Sequence, residues 1–238
     1  MKRLTSLFAV AAAATTLTFA NFGSALADGH TSLKDEPPRR VSAPWSGLYV
    51  GVQGGWLGSE ADWTFDNVAQ SPTPNPLDFD SGLFGGILGY QHQFGPVVIG
   101  IEGTFSGTIG DEGSATCPNA AFTCTADVNS IATVGGRFGF AFGTTAMLYF
   151  TGGYANADVS TNTTNGVLVD PVSERVDGHY LGGGLEFMTF RNLVFGIEYR
   201  HYDFDTADLN SGRVPGTDDR IVDLDSDSVT ARLTFLLK

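Results

Sequence analysis

Three carboxylates and three guanidiniums stand out by position: Glu102, Glu186 and Glu198 against Arg137, Arg200 and Arg232. Each lies partway along a stretch that alternates apolar with polar residues, and each takes the polar side. Charges removed from water are costly unless paired, and three against three leaves none over. A second group is Asp177, His179, His201 and Asp203. Imidazole beside carboxylate can bind a divalent metal or move a proton in lipid-ester hydrolysis. No serine nucleophile shares that face to complete a triad, so the plainer reading is polar residues at the boundary of an apolar layer. Cys117 and Cys124 are the two cysteines. A C-x6-C spacing without nearby histidines makes a poor zinc site, and in an oxidising compartment it predicts a local disulfide. No metal and no cofactor are expected.

The elements that must hold these groups are strands. Eight period-2 segments are predicted, at about 47–56, 82–94, 97–107, 128–140, 145–156, 178–189, 193–204 and 228–237. Three gaps between them are tight, at Gly95-Pro96, Ala141 to Thr144 and Phe190 to Asn192. Four are long, at 57–81, 108–127, 157–177 and 205–227. Short and long gaps alternate, which predicts an up-and-down sheet with tight turns on one rim and long loops on the other. A hairpin centred near Phe190 would set 177 opposite 203 and 179 opposite 201. The doublets Gly85-Gly86, Gly135-Gly136 and Gly182-Gly183 recur 50 and 47 residues apart. An aromatic follows each by four residues: Tyr90, Phe140 and Phe187.

The two faces differ in kind. Val97, Ile99, Ile101 and Phe105 oppose Gly100, Glu102, Thr104 and Ser106; Val128, Val134, Phe138 and Phe140 oppose Asn129, Thr133, Arg137 and Gly139. Leu181, Leu185 and Phe187 oppose Tyr180, Gly182, Gly184 and Glu186. Phe195, Ile197 and Tyr199 oppose Gly196, Glu198, Arg200 and Tyr202, and the last segment repeats the scheme around Arg232. A water-soluble sheet would bury its apolar face and would not need balanced charges at strand centres. Turned inside out, the apolar face meets lipid and the polar face lines a lumen. Eight strands leave an interior that their own side chains can fill, so a lumen holding Glu–Arg pairs is expected to be closed.

Composition agrees. The 238 residues carry a formal charge of −13 and a pI near 4.4, which excludes nucleic acid as a partner. Thirty-one glycines argue against a helical protein. Lys2 and Arg3, the apolar run from Leu4 to Ala20 and Ala25-Leu26-Ala27 predict a cleaved secretory signal over 1–27. Residues 28–44, with three prolines and mixed charge, predict an extended periplasmic linker ahead of a folded domain over 45–238. The long gaps are acidic: Glu60, Asp62, Asp66, Asp78 and Asp80 in the first, and seven aspartates from Asp205 to Asp227 in the last. They read as a solvated surface open to a host or surface ligand.

Trp45-Ser46-Gly47-Leu48-Tyr49-Val50-Gly51 resembles the W-x-G-x-Y-x-G opening of the small alphaproteobacterial outer-membrane β-barrel family, the porin-family surface proteins. Gly85 to Gln91 is similar to its second strand, and Glu198 to Asp203 to its penultimate-strand motif. The resemblance spans the whole chain. It implies an all-β, eight-stranded antiparallel up-and-down transmembrane β-barrel in the outer membrane of a Gram-negative cell, inserted by the outer-membrane assembly machinery. Its neighbours would be outer-membrane lipid and lipopolysaccharide. Family roles include envelope integrity, surface antigenicity, weak pore activity and haemin binding. Members usually end on an aromatic, whereas this chain ends Phe235-Leu236-Leu237-Lys238. The expectation is a monomeric, non-enzymatic structural and surface-interaction barrel. The alternatives are a narrow porin or haemin-binding protein, and a lipid-modifying barrel hydrolase using the rim histidines.

Overall fold

The computed structural model describes residues 43–65, 75–110, 113–116, 123–164, 169–190, 192–208 and 220–237. Nine strands lie among them: β1 (Gly47–Phe65), β2 (Asn75–Phe94), β3 (Val97–Ile109), β4 (Gly113–Thr116), β5 (Thr123–Phe142), β6 (Ala146–Thr164), β7 (Val169–Phe190), β8 (Leu193–Asp208) and β9 (Arg220–Leu237). Every long strand pairs antiparallel with its sequence neighbour, β3 passes over β4 to pair β5, and β1 pairs β9 to close the ring. The eight long strands are therefore a closed up-and-down barrel. The four-residue β4, absent from the expected segments, pairs only with the start of β5.

The tight turns fall at one end. Gly95 and Gly143 take φ of +61° and +68°, the left-handed region that a turn needs and that a side chain resists. Around the middle of the barrel the outward residues are Val50, Val52, Leu88, Ile99, Ile101, Phe150, Leu181, Leu185, Ile197 and Leu233, all exposed. Aromatics border this band, with Trp56, Tyr154 and Tyr199 toward the loop end and Tyr90, Phe94, Phe142, Phe187, Phe195 and Phe235 toward the turn end. An apolar girdle between aromatic belts is the surface a bilayer selects.

Much of what alternation assigned to long loops is strand. β6 runs to Thr164 and β7 starts at Val169, so the 157–177 gap shrinks to a short connection. Beyond Tyr154 the alternation continues but its sense reverses. Ala155, Ala157 and Val159 point inward and are buried, while Asn156, Asp158 and Ser160 face outward. The same holds for Leu57 and Ala61 against Glu60, and for Leu224 against Asp225. Past the apolar band the wall meets water, so the polar residues turn out and the apolar ones turn in.

One expected face is corrected. Val128 is buried in the interior and Asn129 is exposed, opposite to strict alternation from Val134. A bulge between Val128 and Ser130, where β5 shifts register against β6, inserts the extra residue that swaps the faces.

Candidate functional site

The barrel interior is layered. At the turn end Trp45, Tyr49, Ile87, Val98, Ala141, Met147, Tyr149, Val194 and Leu236 form one buried apolar cluster. At the loop end Leu57, Phe79, Leu83, Val128, Ile131, Val159, Tyr180, Tyr202, Phe204 and Leu224 belong to a second. Between them lie the six mid-strand charges, with side chains at most 2% exposed.

All six meet in one network. Arg137 of β5 reaches Glu186 of β7 at 2.7 Å and Glu102 of β3 at 3.4 Å. Arg200 of β8 bonds Glu102 at 2.8 Å and forms an ion pair with Glu198 on its own strand at 2.6 Å. Arg232 of β9 pairs with both Glu102 and Glu198. Glu102 thus holds three guanidiniums, Glu198 two and Glu186 one. Tyr49 donates to Glu102 at 2.8 Å and Tyr149 to Glu198 at 2.6 Å, so the turn-end plug and the charges are one bonded unit. Thr104 and Thr133 accept from Arg200, and the Arg137 guanidinium lies 3.9 Å from the Tyr149 ring centroid. These bonds and the ring face replace part of the water that the ions have lost, while Nε of each of the three arginines is buried without a hydrogen bond.

The glycines make the space. Tyr49 pairs with Gly89 and Tyr149 with Gly184 across adjacent strands. A Cβ at Gly184 would stand 2.7 Å from the Tyr149 hydroxyl, and one at Gly89 would strike the Tyr49 ring. In each glycine doublet the first member faces the lumen, where a Cβ would meet Ser106 at Gly85, the Tyr180 hydroxyl at Gly135 and Arg200 at Gly182, and the second faces outward. Trp45 and Tyr49 of the opening motif are plug residues, 0% and 1% exposed. Gly51, the last residue of that motif, lets the β9 backbone at Leu233 and Thr234 approach.

Sequence reasoning missed the two plugs. The readable signal was the tyrosines at 49, 149, 180 and 202, which occupy the lumen face and are too large for a water-filled pore lining.

The rim residues do not assemble as expected. The β7–β8 ladder sets His179 opposite Asp203 and Leu181 opposite His201, because the turn lies between Phe190 and Leu193 and is not centred on Phe190. His179 Nε2 lies 3.5 Å from Asp203 Oδ2. His201 Nδ1 instead lies 2.9 Å from Asp227 of β9, which also accepts from the Tyr199 hydroxyl at 2.6 Å. Asp177 accepts from Tyr154 and, at 2.7 Å, from Asn156. The quartet is therefore dispersed into separate outward pairs, half-exposed or more. Among the described residues no cluster of three or more His, Cys, Asp or Glu is placed to hold a metal. Cys117 lies outside the described residues, as does the Cys124 side chain, and so do residues 1–42 with the expected signal and most of the linker.

Solved structures similar to this chain include Neisserial surface protein A, at 10% identity and TM-score 0.40, covering 82% of this chain and 99% of that one. Ail, the attachment invasion locus protein of Yersinia pestis, solved with the heparin analogue sucrose octasulfate, matches at 15% and 0.40 over 79% and 99%. OprG of Pseudomonas aeruginosa matches at 13% and 0.44 over 81% and 97%. No curated protein matches the chain in sequence. The family model of the outer membrane protein beta-barrel domain matches residues 4–235, nearly the full length. With its closed ring, apolar girdle and charged, plugged lumen, the chain belongs to the outer membrane protein beta-barrel domain family.

Proposed function

We propose that this barrel is a closed envelope protein that stabilises the outer membrane and presents its loop-end surface to partners, rather than a conduit or an enzyme. The observation that carries this reading is the lumen. Three Glu and three Arg pair with one another between two apolar plugs, so the described strands fill their own interior with side chains. The alphaproteobacterial surface-protein branch, export through a cleaved signal over 1–27 and a periplasmic linker over 28–44 complete the reading. The tight turns then face the periplasm and the long strand extensions face outward, amid lipopolysaccharide. The separated rim pairs support a non-enzymatic role, since among the described residues His179 pairs with Asp203 and His201 with Asp227 and neither pair is joined by a serine nucleophile. Ion conductance of the refolded, heat-modifiable protein in a planar bilayer is the test. Silence is expected; sustained discrete channels would overturn the closed lumen in favour of the narrow porin.

A further inference from the structure

The barrel is closed through its middle but not at its loop end. β7 pairs with β6 over its whole length, up to Val169 opposite Thr164. On its other side the ladder with β8 stops at Gly178 opposite Phe204. β8 continues to Asp208, yet beyond Phe204 it stays with β9 through a register shift between Phe204 and Ala207. Among the described residues, β7 from Val169 to Asp177 is thus paired on one side only.

The chemistry of that edge is readable. Pro171 faces Asn162 of β6 and has no N–H, so this must be a non-hydrogen-bonded pair. Alternation then directs the N–H and C=O groups of Ser173 and Arg175 away from β6, to the open side. The surroundings are two-faced. On the outward face Asp177 of β7 and Asp203 and Asp205 of β8 are exposed, while on the inward face Val176 and Phe204 are buried at the foot of the seam and Glu174, in line with Val176, is exposed beyond them. Arg175 is the one basic residue of this edge, and its guanidinium turns to Asp158 of β6 at 3.8 Å.

We propose that the β7 edge from Pro171 to Asp177 is a docking edge, taking an extended peptide segment of a partner as an added strand. Strand addition draws affinity from backbone bonds and specificity from alternate side chains. Here one set of partner side chains would meet Val176 and Phe204, and the other the carboxylates, so the segment alternates apolar and basic residues. Pro171 and the like charges along the edge oppose pairing between copies of this chain. The inference deepens the surface-interaction part of the proposed function and rests on it.

The probe is a labelled eight-residue peptide alternating Val and Lys, titrated into the full chain refolded in nanodiscs and read by fluorescence anisotropy. A control of equal charge alternates Pro and Lys and cannot add to a sheet. Saturable binding of the first and none of the second is expected. Ser173→Pro with Arg175→Pro removes two edge N–H groups and leaves the β6 ladder intact, so binding should weaken at least about tenfold. Heat-modifiable mobility reports that the variant has folded. A second variant, Asp203→Asn with Asp205→Asn, should bind more weakly and lose salt sensitivity. Equal binding of both peptides, or unchanged binding to the proline variant, would overturn the docking edge. Failure here with a silent bilayer rejects the edge alone, whereas discrete channels reject the closed barrel.

Discussion

Arg200 on β8 bonds Glu102 on β3 at 2.8 Å, although the two strands stand on opposite sides of the eight-strand ring and 98 residues apart in the chain. Arg232 reaches the same carboxylate across 130 residues. The network therefore ties early strands to late ones through the interior, and forms only when the ring has closed in the right register.

Arg200→Met should cost about 3–5 kcal/mol, since it leaves a buried network of three carboxylates with two guanidiniums rather than deleting a surface pair. Urea titration of intrinsic fluorescence in detergent micelles reads this out. The double variant with Glu102→Gln should lose clearly less than the sum of its parts. A single-variant loss below about 1 kcal/mol would mean that the pair is solvated.

Gly184→Ala should destabilise by about 1–3 kcal/mol, because the new methyl meets the Tyr149 hydroxyl and the β8 backbone. Gly86→Ala is the matched control, since nothing stands within 4 Å of its Cβ position. Thermal unfolding monitored by band shift compares the two. Equal losses would show that glycine matters for strand flexibility and not for tyrosine packing.

The β5 bulge makes a labelling prediction. In a background with Cys117 and Cys124 replaced by serine, Asn129→Cys should react quickly with a water-soluble maleimide and Val128→Cys should not. The reverse order would restore strict alternation and remove the bulge.

Cys117 and Cys124 are predicted to be joined in the exported protein. Intact mass before and after reduction should differ by two hydrogens, and reduction should lower stability by about 2–3 kcal/mol on the chain-entropy account. Two free thiols in air-purified protein would reject the bond.

The ring, its strand number and the lumen position of the six charges were legible because a bilayer forces a strong period-2 contrast, and Glu102 or Arg232 amid valines and phenylalanines breaks it visibly. The strand extensions were not. Past Tyr154 the inward residues shrink to Ala157 and Val159, and the outward ones become Asn156 and Asp158, so the alternation reverses and reads as loop. The partner of His201 was equally hidden. His201 stands opposite Asp227 of β9, and the long 205–227 gap offers no turn centre from which that register could be read.

The reversal of polarity along each strand also sets how deeply the protein sits. A wall that was apolar outside along its whole length could slide along the membrane normal at little cost. Here each step upward would lift Leu181 and Ile197 into water, and each step downward would drag Asp203 and Asp227 into hydrocarbon. Charges on a lipid-facing barrel wall become costlier with depth. The barrel is held at one height by its own two-sided pattern, with the acidic wall standing clear of the lipid whatever the outer loops do.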